Sequence, residues 1–171
     1  MLGLIILSLV AFVYIRFIYR RFGGVYKYEV TSLSFLKDII DIELTPLGNP
    51  LRHTPGQFAF VKYRGLPTPD HQPHPFSISS SSQSPTLRFS IKKLGDYTHS
   101  LHLLRIGQLA LVSGPHGQFL EKLRLSQHAV FIAGGIGITP FMSALSSPLN
   151  PTTQITLFHS VSNPTPSNYS A

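Results

Sequence analysis

Three clusters in this chain of 171 residues combine the residue types that hold phosphates. The densest is Gly134-Gly135-Ile136-Gly137-Ile138-Thr139-Pro140. Glycines let a backbone approach a pyrophosphate, the amino end of a following helix offers free N–H groups, and proline is tolerated at a first helical position. Gly134, Gly135, Gly137, Thr139 and Pro140 are therefore candidate contacts to a dinucleotide, although Pro140 stands where the strict fingerprint has its third glycine. A tight turn after a strand is the competing reading; it explains two glycines more easily than three followed by Thr-Pro. The second cluster, His74-Pro75-Phe76-Ser77-Ile78-Ser79-Ser80, sets a cation-capable ring, an aromatic face and hydroxyls along one strand. It reads equally as a proline-led edge strand running into a serine-rich loop. The third joins Lys92 to Gly95-Asp96-Tyr97-Thr98, again charge, glycine, hydroxyl and a helix amino end.

These clusters need elements to hold them. From residue 26 the chain reads as short strands between Gly, Pro and Asn turns, at 26–33, 39–44, 57–63, 76–80, 87–91 and 108–113. Alternation is clear at Phe58 and Phe60 and at Leu87, Phe89 and Ile91, so the expectation is a small antiparallel β-barrel. Helical spacing occurs once in this region, at 97–104. From His128 the pattern changes to an apolar strand at 129–133, the glycine cluster, a short helix at 140–145 and a strand at 154–161. That is a βαβ unit, the opening of a parallel α/β domain.

Composition narrows the classes. Only 12% of residues are charged and 43% are hydrophobic, which excludes disorder for most of the chain. The absence of cysteine removes disulfides, thiolate zinc sites and cysteine-held iron–sulfur clusters. The net charge of +7 is not a nucleic-acid footprint, because four cations (Arg16, Arg20, Arg21, Lys27) with no acid among them follow an apolar run from Leu2 to Ile15. That run continues through Phe17, Ile18 and Tyr19, and as a helix Leu2 to Tyr19 would span about 27 Å against a hydrocarbon core of about 30 Å. A signal peptide would carry its charge before the apolar stretch. The expectation is thus an N-terminal transmembrane helix with its basic flank at 1–22, membrane lipid around it and the rest of the chain cytoplasmic.

Other patterns carry no chemistry. His71 with His74 and His99 with His102 lack carboxylates at ligand spacing, so no metal site is expected. The 79–82 serine run has no nucleophile elbow, and no catalytic side chain is assigned. Asp38, Asp41 and Glu43 alternate with apolar residues and read as a solvated strand face.

Taken in order, Pro55-Gly56-Gln57-Phe58, the 74–80 segment, the 95–98 turn, Gly114-Pro115-His116-Gly117 and the 134–140 loop resemble the ferredoxin–NADP reductase superfamily. The likeness covers about residues 25–161 and is closest to the membrane branch of ferric reductases and NADPH oxidases. It implies a Greek-key FAD-binding barrel at 25–125, followed by an incomplete NAD(P)-binding α/β domain at 126–161. Phe76 would lie against the isoalloxazine and Ser77 near its N5. His74, Lys92, Gly95, Tyr97 and Thr98 would surround the FAD phosphates, with Pro75, Ile78, Ser79 and Ser80 completing the segment. The 134–140 loop would receive the pyrophosphate of NADPH or NADH, with Thr139 near the nicotinamide. Electrons would pass to a haem-bearing transmembrane bundle or another acceptor, in the plasma membrane or a bacterial inner membrane.

The resemblance is incomplete at its carboxyl end. The family's nucleotide domain continues through further strands, whereas here a polar tail at 162–171, expected to be unfolded, follows the second. Ser160-Val161-Ser162-Asn163 stands where NADPH-preferring members carry an arginine, so NADPH and NADH both stay open. The alternative function is a truncated, membrane-anchored FAD-binding fragment that needs a partner chain for turnover.

Overall fold

The computed structural model describes residues 2–13, 24–68, 72–147 and 152–161. Helix α1 (Leu2–Val13) has twelve residues, about 18 Å of rise, and no helix among the described residues is long and apolar enough to cross a membrane. The expected continuation of the span through residues 14–22 and the expected tail at 162–171 lie outside the described residues.

Six strands form one antiparallel sheet: β1 (Val25–Leu36), β2 (Ile39–Pro46), β3 (Phe58–Tyr63), β4 (His74–Ser77), β5 (Leu87–Lys92) and β6 (Leu109–His116), in the order β4-β3-β6-β1-β2-β5. Period-two alternation drives this. In β2, Ile40, Ile42 and Leu44 are buried, and in β5 Leu87, Phe89 and Ile91 are, with polar residues between them. Pro75 cannot donate to a ladder, which suits β4 to an edge; β5 is the other edge.

The expected barrel is a curled sheet whose seam closes at one end only. Just past β4, Ser79 N–H donates to Arg88 C=O at 2.9 Å, and Arg88 N–H donates to Ser80 Oγ at 3.2 Å. The β3 ladder ends at Phe58 opposite Ser77, Ile78 N–H still donates to Gln57 C=O at 3.0 Å just before β3, and Ser79 and Ser80 then cross to the opposite edge. This also explains why β4 ends at Ser77 rather than at Ser80. Beyond the closed end the two edges part. Helix α2 (Asp96–Ser100), continued by a 3-10 turn at Leu101–Leu103, places Tyr97 against β4 there.

After a 3-10 turn at Glu121–Leu125 come β7 (His128–Gly134), a 3-10 turn at Gly135–Ile138, α3 (Thr139–Leu145) and β8 (Gln154–Ser160). Strands β7 and β8 pair in parallel, as the βαβ pattern predicts, with Ile132 opposite Phe158. One face of this pair packs on α3 through Phe131, Ala133 and Phe141, the two rings stacking at 4.5 Å. On the other face Val130, Ile132 and Phe158 are 63%, 75% and 59% exposed.

Candidate functional site

The open end of the seam is a cleft of about 470 Å³. Strand β4 supplies one wall with His74, Pro75, Phe76 and Ser77; Lys92 at the end of β5 and the Gly95, Tyr97 and Thr98 turn supply the second. Thr139, at the start of α3, supplies a third. The three sequence clusters thus converge on one space. They do so because β4 and β5, at opposite ends of the sheet order, are the two edges that curling brings together.

The floor is aromatic. His74 stacks on Tyr97 with ring centroids 3.5 Å apart, Tyr97 lies parallel to Phe76 at 6.4 Å, and Phe76 meets Phe89 of the core edge-on. Tyr63 lies beneath, and burial together with the neighbouring Tyr97 phenol pushes its own phenol far above the usual tyrosine range.

The polar wall is prearranged. Thr98 Oγ1 accepts from the N–H groups of Leu94 and Gly95 at 2.9 and 3.0 Å and donates to Gly95 C=O at 2.9 Å. Its hydroxyl therefore shapes the turn, and a ligand would meet the backbone it holds. Lys92 Nζ sits 3.5 Å from Asp38 Oδ2 in the β1–β2 turn, with both side chains about half exposed. An anion entering the cleft would compete with Asp38 for that ammonium. Asp96 also lines the cleft and opposes an anion, a feature the sequence reading did not weigh.

The glycines fit a group held against their backbone. A Cβ built on Gly95, Gly134, Gly135 or Gly137 meets no atom within 4 Å. Only Gly135, at φ +49°, needs glycine for its own conformation; the other three open space beside the chain. His159 of β8 bonds through Nε2 to Gly135 C=O at 2.9 Å and so ties the glycine turn to the neighbouring strand.

Not every expected residue reaches the cleft. Ile78 is fully buried in the barrel core, while Ser79 and Ser80 spend their hydroxyls on the Arg88 backbone. Gly134, Gly135, Gly137 and Pro140 lie on the adjoining loop, outside the lining; Ile136 and Thr139 are the members that enter it. Ser90, Ile91 and Leu94 also line the cleft and were not singled out. Their signal was adjacency to Lys92, since Ser90 and Lys92 share one strand face. Residues 69–71, with His71, and residues 162 and 163 lie outside the described residues. Among the described residues no three His, Cys, Asp or Glu converge to hold a metal ion.

Two serines missed in the sequence lock the units together. Ser143 Oγ, on α3, donates to Ser80 C=O at 2.8 Å, and Ser147 Oγ accepts from Ser82 N–H at 2.9 Å. The serine run that read as a bland loop is the strap against which α3 docks. The available signal was the spacing of Ser143 and Ser147, four residues apart, with Ser147 just past the end of α3 at Leu145.

The PGQF and GPHG motifs meet each other away from the cleft. Gln57 Nε2 donates to Gly117 C=O at 3.0 Å, and Phe58 and His116 pack with centroids 5.6 Å apart. Gly56, at φ +83°, lies under Leu120, which a Cβ there would meet at 2.7 Å. These residues shape the fold and leave ligand contact to the other clusters.

Comparison with known proteins bears on the same residues. A family model described as an FAD-binding domain matches residues 23–134. The gamma subunit of sulfhydrogenase 2 from Pyrococcus furiosus is 30% identical over 118 residues, covering 68% of this chain and 37% of that protein. NADPH oxidase 3 from Rattus norvegicus is also 30% identical over 118 residues, covering 62% and 20%. The chain thus spans between a fifth and just over a third of the length of these relatives. Its fold matches a ferredoxin NADP+ reductase from Neisseria gonorrhoeae, solved with FAD and NADP bound, at a TM-score of 0.69 and 19% identity, over 82% of this chain and 58% of that one.

Proposed function

The chain belongs to the FAD-binding domain family, and from that premise we propose that it is a membrane-bound flavoprotein module passing electrons from NADPH or NADH through FAD to haem, ferric iron, oxygen or another acceptor. The observation that carries this reading is the single cleft in which β4, the Lys92 to Thr98 wall and the start of α3 face one another. FAD held in this cleft would supply the redox chemistry that links a two-electron donor to a one-electron acceptor. The protein's own part is positional. Phe76 offers a flat apolar face, Ser77 a hydroxyl beside it, His74 a polar ring and Lys92 positive charge for phosphate. Thr98 holds the turn whose backbone faces the anion, while Ile136 and Thr139 close the wall from which a nicotinamide would approach.

Support for the membrane comes from the apolar stretch 2–19 with its cationic flank, and the positive-inside rule then puts the flavin unit in the cytoplasm. Likeness to NADPH oxidase 3 supports an oxidase-type or haem-bearing partner. The test is to incubate the purified full chain with FAD, remove free flavin, and assay ferricyanide reduction with NADPH and with NADH. Co-eluting flavin and turnover with either donor are expected. Folded protein that leaves all FAD in the flow-through would sink the proposal.

A second reading rests on the exposed Val130, Ile132 and Phe158 face, since parallel sheets are normally covered on both sides. There the chain holds FAD but turns over only when a further segment or partner chain completes the nucleotide unit. Stoichiometric FAD with no ferricyanide reduction would favour it.

A further inference from the structure

A second cleft, of about 620 Å³, shares no lining residue with the first. It lies between the turn that ends β3, carrying Arg64 and Gly65, and the turn that leads into β6, carrying Arg105, Ile106 and Gly107. Pro67 and Leu103 complete its apolar lining. Nothing in the flavin reading uses these residues.

The two arginine-bearing turns are clasped by one side chain. Gln108 Oε1 accepts from Arg105 N–H at 3.1 Å, and Gln108 Nε2 donates to Arg64 C=O. Arg64 N–H is in turn bonded to Leu109 C=O at 2.8 Å, and Gln108 N–H to Arg105 C=O at 3.2 Å. Both turns pass through left-handed glycines, Gly65 at φ +73° and Gly107 at φ +87°, where other residues would be strained. A Cβ at Gly107 would lie 3.6 Å from Glu29 Oε1, so that acid approaches the turn without lining the cleft. Neither guanidinium has an ion-pair partner among the described residues. The result is two arginines, without ion-pair partners among the described residues, on backbone turns clasped together beside an exposed aliphatic wall, with Ile106 68% exposed.

We infer that this cleft is a binding site for a phosphate monoester carried on an apolar or aromatic body. Two guanidiniums match a group of nearly two negative charges, and a planar fork binds phosphate oxygens two at a time, which an ammonium cannot. Pro67, Leu103 and Ile106 would cover the body of the ligand, which explains large aliphatics exposed beside paired cations. A soluble phosphate ester and a lipid phosphate share this chemistry.

The test titrates phenyl phosphate into the full chain by calorimetry, with and without saturating FAD, beside inorganic phosphate and phenol as the two halves. Phenyl phosphate should bind more tightly than either half, with the same affinity whether or not FAD is present. Arg64→Ala and Arg105→Ala should each weaken it by about tenfold or more, and Arg64→Lys by several-fold, with FAD content unchanged. Gln108→Ala, which keeps both charges and loosens the clasp, should fall between wild type and the single alanine variants. Flotation with phosphatidylcholine vesicles, with and without phosphatidic acid, separates the sources. Retention by phosphatidic acid that depends on both arginines assigns a lipid phosphate; retention indifferent to them, with phenyl phosphate binding still arginine-dependent, assigns a soluble ester. Failure of phenyl phosphate to bind, equal binding by the double alanine variant, or release of FAD by phenyl phosphate would each overturn the inference.

Discussion

The barrel and the α/β unit bury their apolar residues in different ways. In the barrel, each strand puts alternate residues inside, and Val30, Ile40, Ile42, Phe89 and Val112 are fully buried around one core. In the α/β unit β7 is apolar on both faces, yet only Phe131 and Ala133 are covered. Alternation in a strand states how many faces it expects to bury: one for β5, two for β7. Among the described residues the first expectation is met and the second is half met. Covering a side chain of the size of Ile132 or Phe158 contributes about 1.5–3 kcal/mol, so the outer face of β7 and β8 holds several kcal/mol of unrealised stabilisation.

The largest test of this contrast is Phe89→Ala. Removing that ring from a sealed core should cost about 3–5 kcal/mol, read as a lower midpoint in urea, and should release FAD as the β4–β5 seam loosens. Next comes the joint between the units. Ser143→Ala with Ser147→Ala removes the two hydroxyls that hold α3 to the serine strap, and should cost about 2 kcal/mol locally. Amide exchange should quicken in α3 and the 135–138 turn and stay slow in β1, β2 and β5; quickening throughout would mean that the two cores unfold as one.

A smaller effect is set by pH. His53 is buried near the backbone of Thr54 and Ser81, beneath the strap, and burial holds its imidazole below the usual histidine range. The unfolded chain then binds the proton more readily than the folded one. Stability should be flat above about pH 7.5 and decline as pH falls through about 6.5, by at most about 1.4 kcal/mol per pH unit. In His53→Gln that decline should be absent, and persistence of the same slope would assign it to another group. The smallest effect is expected from Ile132→Ser. On an exposed face it should change stability by less than about 0.5 kcal/mol, whereas the same exchange at Ile42, fully buried in the barrel, should lower the urea midpoint clearly. A loss of 2 kcal/mol or more at Ile132 would show that something covers that face in solution.

Much of this was legible in the residues. Strands β2, β3 and β5 fall within two residues of where alternation places them, because a half-buried strand writes its period directly into the sequence. The parallel β7 and β8 pair followed from an apolar run, a glycine turn and a short helix. Strand β4 was misplaced by two residues at its start, since the proline that looked like its boundary sits inside an edge strand. The cleft residues His74, Phe76, Lys92 and Thr98 were marked by type. What the residue type did not show is that the Thr98 hydroxyl is taken by its own turn.

By itself the sequence determined which segments pair as strands, where the glycine turns fall and which residue types are available for a phosphate, all consequences of local periodicity and side-chain chemistry. Tertiary structure alone decided which of them meet. Lys92 and His74 face one cleft because two sheet edges curl toward each other and part at one end; Ser143 finds Ser80 because α3 docks on a loop from another unit. Arg64 and Arg105 are held together by a glutamine that nothing in the sequence distinguishes from a surface residue. Contacts between segments distant in the chain depend on the geometry of closure, and local pattern carries no record of it.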